Sequence, residues 1–260
     1  MNRTARALPV AVLVLLPAAA RAQSSTPSQE NYGIRLEYRE WRPEFTGKIS
    51  KGFGETEGTL LDIVDDLGIV DDRTFEIRGA FQIKHGHKLR GSYTPLDYAG
   101  HVEDAPKRFT YGQLLVNRDE PVETRIKGTY WSGAYEFDFV KGPRGFLGGT
   151  VGAKFVDIDT TIVAVNQNQR ELDTWQSPVP ALGIITRMYV GRLSVEGEIS
   201  GFTLGDRGSL IEFDAAARLH ISDRLAASGG YRYLKIRGED DRDFADIQLE
   251  GWHFGLEISL

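Results

Sequence analysis

The chain ends on Trp252-His253-Phe254-Gly255-Leu256-Glu257-Ile258-Ser259-Leu260, and the alternation in that stretch decides how the rest is read. Neighbouring side chains of a β-strand point to opposite faces. Trp252, Phe254, Leu256, Ile258 and Leu260 therefore share one face, and His253, Gly255, Glu257 and Ser259 share the other. So apolar a strand is an aggregation-prone edge unless it is paired into a sheet that closes or is covered.

The strands it could pair with lie upstream. Tyr32, Ile34, Leu36 and Tyr38 alternate with Arg35, Glu37 and Arg39, and Phe75, Ile77, Phe81 and Ile83 with Glu76, Arg78, Gln82 and Lys84. The same period of two recurs at 89–94, 124–140, 146–157, 179–189, 193–200, 211–221, 225–233 and from Phe244 to the end. This predicts an all-β, antiparallel, up-and-down barrel of about ten strands, with eight or twelve left open. Tight turns are expected at 84–88, 141–145, 191–192 and 222–224, and long excursions at 50–72, 99–121 and 158–178. Long connections thus fall only at odd positions in the order and every even one is tight, the last three connections all being brief. Within the closing strand, Ile247 and Leu249 are odd-numbered while Trp252 onward is even, which predicts a register slip, a bulge at Gly251.

Composition narrows the chemistry. The 260 residues include no Cys, which excludes a disulfide framework, a thiolate metal site and a Cys nucleophile. Arg3 and Arg6, the apolar run 7–20 and Ala20-Arg21-Ala22 predict a signal peptide over 1–22, cleaved after Ala22. Residues 23–31 read as a short polar periplasmic leader, leaving 32–260 as the barrel. The formal charge of −6 becomes more negative once Arg3, Arg6 and Arg21 are removed, which argues against nucleic acid as a partner. No later segment is apolar enough for a spanning helix, so only a closed barrel could cross a membrane.

With these features the chain resembles the outer-membrane β-barrel proteins of Gram-negative bacteria. The resemblance covers the whole mature chain and concerns architecture, not activity. It implies an outer-membrane location, contact with outer-membrane lipid and lipopolysaccharide, and a terminal strand read by the barrel assembly machinery through Trp252, Phe254, Leu256, Ile258 and Leu260. Leu260 departs from the Phe or Trp common at the last position.

In a membrane barrel the apolar face meets lipid and the charged face lines the lumen. The expected lumen network is Arg35, Glu37, Arg39, Glu76, Arg78, Arg90, Glu136, Asp138, Lys154, Glu196, Glu198, Glu212, Asp214, Arg218 and Arg232, with His253 and Glu257 on the closing strand. In a barrel this narrow, opposite charges would pair across the interior and leave it mostly occluded. Aromatic girdles are expected from Tyr38, Trp41, Tyr98, Phe139, Phe146, Tyr189 and Tyr233. In a soluble periplasmic barrel with an apolar ligand-binding interior the same two faces would be exchanged.

Catalytic and metal signals are sparse. His101, with Glu103 and Asp104 near it, is the one histidine expected on an outer loop, and a solvated loop explains it as well as an outer-rim hydrolase does. His85 and His87 fall in a periplasmic turn and His220 near the periplasmic end of its strand. The acidic runs at 62–72 and 239–243 lack calcium-loop spacing, and no metal or cofactor is expected. The expected function is a non-enzymatic outer-membrane barrel, structural or a narrow low-conductance pore. The alternatives are an outer-membrane lipid-modifying or proteolytic enzyme and a soluble ligand-binding barrel.

Overall fold

The computed structural model describes residues 30–205, 208–240 and 242–260; the signal peptide expected over 1–22 and residues 23–29 of the expected leader lie outside them. Its strands are β1 (Ile34–Ser50), β2 (Leu61–Asp62), β3 (Thr74–Lys84), β4 (His87–Val102), β5 (Phe109–Tyr111), β6 (Leu114–Val116), β7 (Val122–Gly142), β8 (Gly145–Ala164), β9 (Gln169–Val190), β10 (Leu193–Thr203), β11 (Gly208–His220), β12 (Leu225–Asp240) and β13 (Asp243–Ser259). Ten of them form a closed antiparallel barrel in chain order. The seam is β13 against β1, in unbroken register from Arg35 opposite Ser259 to Ser50 opposite Phe244.

The four tight turns expected at 84–88, 141–145, 191–192 and 222–224 lie at the end that carries the first and last strand ends, the periplasmic end of such barrels. Two of the long excursions carry short strands of their own, β2 inside 50–72 and the β5–β6 hairpin inside 99–121. The third does not exist as a loop. β8 runs on to Ala164 and β9 starts at Gln169, paired from Ala164 opposite Gln169 down to Gly145 opposite Met188. The β-branched run Thr160-Thr161-Ile162-Val163 favours this extension, and only residues 165–168 turn.

The bulge expected at Gly251 is absent. β13 keeps continuous register with both neighbours through Gly251, which lies opposite Pro43 and Arg232. Even-numbered side chains point outward along the whole strand, and the medium around them changes. Trp252, Phe254, Leu256 and Ile258 face lipid; Gln248 and Glu250, nearer the outer tip, face water. The inward set changes with them, from Glu257 and His253 to Leu249 and Ile247. Leu249 is 2% exposed and Trp252 is 61% exposed, although both are large and apolar. β1 repeats the pattern: Ile34, Leu36 and Tyr38 point out, whereas Trp41, Phe45 and Ile49 point in. A strand in lipid turns its apolar face outward, and the same strand continued into water must turn an apolar face inward.

The interior therefore has two storeys. The one enclosed by the membrane belt is ionic. The outer one is an apolar core built from Trp41, Phe45, Leu61, Ile63, Leu67, Tyr98, Phe109, Ile126, Ile162, Leu210 and Leu249, among others. The excursion carrying β2 enters this storey and fills it: Leu61, Ile63 and Leu67 are fully buried. A helical turn, with the Asp66 amide donating to Asp62 O and the Gly68 amide to Val64 O, brings them together. Burying side chains of this size contributes about 1.5–3 kcal/mol each.

The aromatic girdles are correspondingly redrawn. Tyr38, Phe139 and Tyr233 point outward, but Trp41, Tyr98, Phe146 and Tyr189 are buried inside. Outward aromatic pairs are instead Trp131 stacked on Phe155 at 3.8 Å between centroids and Tyr231 edge-on to Trp252 at 5.3 Å.

Candidate functional site

All fifteen charged residues assigned to the lumen from sequence line the ionic storey, where they pair in layers. Near the periplasmic mouth, Lys88 lies 2.7 Å from Glu136 and 3.0 Å from Asp138, and Arg35 lies 3.4 Å from Glu257. In the middle, Arg218 bridges Glu37, Glu196 and Glu257 at 2.9–3.1 Å. Arg39 reaches Asp214 at 2.7 Å and Glu37 at 2.9 Å. Arg78 and Arg90 share Glu198 at 2.8 and 3.0 Å, and Arg90 also meets Glu136 at 2.7 Å. In the top layer Glu212 takes Lys154, Arg232 at 2.7 Å and the Tyr130 hydroxyl, while Arg232 also reaches Glu76 at 3.2 Å. His253 sits beside Asp214 at 3.5 Å.

Three members escaped the sequence. Arg187 lies 2.6 Å from Glu196, Lys88 of the network falls in an expected turn, and Glu30 falls in the expected leader. Strand parity could have found the first two, since Lys88 is in phase with Arg90 and Arg187 is out of phase with the apolar Leu182, Ile184 and Met188. Glu30 precedes any alternation, yet its carboxylate is buried against Arg35 at 3.2 Å, Lys88 at 3.5 Å, Arg187 at 3.7 Å and the Tyr189 hydroxyl.

Little open space remains. Cavities within the network are small: about 30 Å³ where Arg35, Glu37, Arg78 and Glu257 line one, about 30 Å³ where Glu76, Arg90, Lys154 and Asp214 line another, and about 20 Å³ beside Glu30, Lys88 and Asp138. That is water-sized, too small for a solute. Charges brought this far from bulk water are tolerable only when each finds partners, and removal of one partner costs about 3–5 kcal/mol. Above the network, Trp41 donates its indole N–H to Gly251 O at 3.3 Å and covers Arg232, and the apolar storey begins.

The remaining candidates do not converge. His101 is exposed at the outer end of β4, opposite Glu123 of β7, and no ion pair among the described residues joins it to Glu103 or Asp104. His87 hydrogen-bonds the Tyr135 hydroxyl and packs on Phe137, and His220 lies 2.9 Å from Ser194 Oγ at the periplasmic end. Among the described residues no group of three His, Asp or Glu is placed to hold a metal ion. At the outer tip, Lys51 meets Asp173 at 3.0 Å and Glu171 at 3.2 Å, and the Tyr111 hydroxyl donates to Asp173 at 3.2 Å. Burial opposes the charge on Lys51, but hydrogen bonds to Asp173 and Glu171 outweigh it and hold the ammonium above its ordinary range. Burial, helped by Asp173, raises the Tyr111 hydroxyl.

No family model and no curated protein sequence matches the chain. Solved structures do. The outer membrane protease OmpT from Escherichia coli superposes with a TM-score of 0.59 at 6% identity, covering 87% of this chain and 96% of that one. The translocator domain of the autotransporter NalP from Neisseria meningitidis gives 0.47 at 11% identity, covering 88% of each. Ail from Yersinia pestis gives 0.35 at 9% identity, covering 86% of this chain and 99% of that one. At such identities the likeness concerns the fold alone. The chain has the fold of Gram-negative outer-membrane β-barrels, with its apolar belt in that membrane and its strands continuing beyond the outer surface.

Proposed function

We propose that the protein is a closed, non-conducting and non-enzymatic outer-membrane barrel whose working surface is its extracellular extension. One observation carries this: the interior is filled twice over, by paired charges below and by an apolar core above. Either filling alone would stop a solute. Of the two roles expected from sequence, structural barrel or narrow pore, this favours the first. The outward placement of His101, away from the inside of the cup, favours a non-catalytic role over an outer-rim hydrolase.

The partners follow from the surface. The belt of Leu36, Tyr38, Trp131, Phe254 and Leu256 contacts the membrane, with lipopolysaccharide around its outer half. The alternating face of β13 is what the assembly machinery reads. Planar-bilayer recording of the refolded protein tests the proposal. Silent membranes at high protein load are expected, and reproducible unitary steps would overturn it.

A further inference from the structure

The wall of the extracellular extension is open at one place. β9 pairs with β8 along its whole length, but with β10 only from Val190 opposite Leu193 to Leu182 opposite Gly201. β10 ends at Thr203 and β11 starts at Gly208, so among the described residues no strand pairs with 169–181 of β9 on that side. Pro178 and Pro180 explain where the ladder stops: they follow Leu182 in the phase whose N–H groups point toward β10, and proline has none.

The same phase defines the open edge. The Tyr189 amide donates toward β8, to Arg144 O, so odd-numbered residues of β9 serve β8 and even-numbered ones serve the other side. Arg170, Leu172, Thr174 and Gln176 therefore turn their main-chain N–H and C=O groups outward from the sheet edge. Leu172 O is reached by Lys51 Nζ at 3.1 Å, and no acceptor among the described residues takes the four amides. Leu172 is 60% exposed. The floor of the notch is the Trp175 ring, which lies against Gly238 of β12 across the gap.

We infer that this edge takes up an extended peptide segment of another polypeptide, running antiparallel to β9 in the line that β10 vacates. A row of outward amides and carbonyls is matched by another backbone, and the prolines limit the new ladder to 170–176. Charge selects the guest. Asp157 and Asp159 of β8 stand on the solvent side of the sheet, one strand in from the edge. They hold Gln176 and Thr174; neither makes an ion pair among the described residues, although Asp159 stands opposite Lys127 of β7. Lysine or arginine placed opposite Thr174 or Gln176 on the guest's solvent face would reach these carboxylates across β9, clear of Arg170 at the far end of the edge, while β-branched residues on its other face would cover Trp175.

This rests on the proposed function only in placing the working surface outside the cell. The test is amide hydrogen exchange on the refolded protein with a short synthetic peptide alternating lysine and valine. Exchange at Leu172, Thr174 and Gln176 is expected to slow at least tenfold at saturating peptide. A backbone N-methylated peptide should leave it unchanged, a glutamate-for-lysine peptide should bind more weakly, and Thr174→Pro should abolish the effect. Pro178 and Pro180 already occupy equivalent positions, so Thr174→Pro is expected to fold, which unchanged mobility on unboiled gels checks. No slowing at millimolar peptide, or protection of these amides before peptide is added, would overturn the inference. A silent bilayer with no peptide binding would leave the closed barrel standing, and peptide binding to a conducting barrel would do the reverse.

Discussion

The guanidinium of Arg232 lies 4.5 Å from the centre of the Trp41 ring, and this contact joins the two storeys. Beneath it Arg232 bonds Glu212 and Glu76; above it Trp41 packs in the apolar core. One aromatic face thus meets a cation on one side and hydrocarbon on the other.

Trp41→Ala should cost about 3–5 kcal/mol, since it empties a fully buried aromatic site and uncovers a buried cation. Trp41→Phe should recover part of this by keeping a ring over Arg232. Urea unfolding in detergent measures both. Equal losses for the two variants would mean that the ring face contributes nothing.

Gly251→Val should lower the folded, heat-modifiable fraction in outer membranes, for a reason unlike the expected bulge. A Cβ at Gly251 would stand 2.0 Å from Arg42 O on the neighbouring strand, a backbone contact that cannot swing aside. Gly251→Ala should already show the defect. Normal surface levels of either variant would refute the close-approach argument.

Arg39→Met leaves Glu37, Asp214 and Glu76 short of a buried cation and should destabilise by about 3–5 kcal/mol. Adding Asp214→Leu should restore part of the loss, because an apolar pair asks for no compensating charge. If the double variant is as unstable as the sum of the singles, the two residues are not coupled.

Two seals in series make a conductance prediction. Replacing Arg39, Arg78 and Arg218 by alanine should leave bilayers silent, because the apolar storey still closes the outer end. Replacing residues 53–69, the excursion that fills that storey, by a glycine-serine linker in the same variant should produce a leak. Unitary steps from the arginine variant alone would show that the outer storey does not seal.

At the outer tip, the raised lysine and tyrosine give a signed pH dependence. Both groups have folded-state values above their ordinary ones, so their contribution is complete below the ordinary values of 10.5 for Lys51 and 10.0 for Tyr111 and is lost as pH rises through the raised ones. Proteolytic nicking of the β5–β6 hairpin should stay level from neutral pH to about 10 and rise above that. Lys51→Met should raise nicking already at neutral pH. A rise between pH 7 and 9 in the unsubstituted protein would contradict the assignment.

Alternation alone determined most of the architecture. From Tyr32 to Leu260 it marked the strands, their antiparallel order, the closing pair and the charged face from Arg35 to Arg232. Period two is a local property of a strand backbone and needs no tertiary knowledge. What alternation cannot say is which medium each face meets. Leu249 and Trp252 are alike in chemistry and opposite in phase, and the sequence offered a bulge at Gly251 to reconcile them. The tertiary structure reconciles them by height, one in the apolar core above the membrane and the other in lipid. The same change of medium turned Trp41 and Tyr98 inward and made 158–178 a continuation of β8 and β9. It also placed Glu30, which has no pattern of its own, among Arg35, Lys88 and Arg187, because only the closed barrel brings those cations to one mouth.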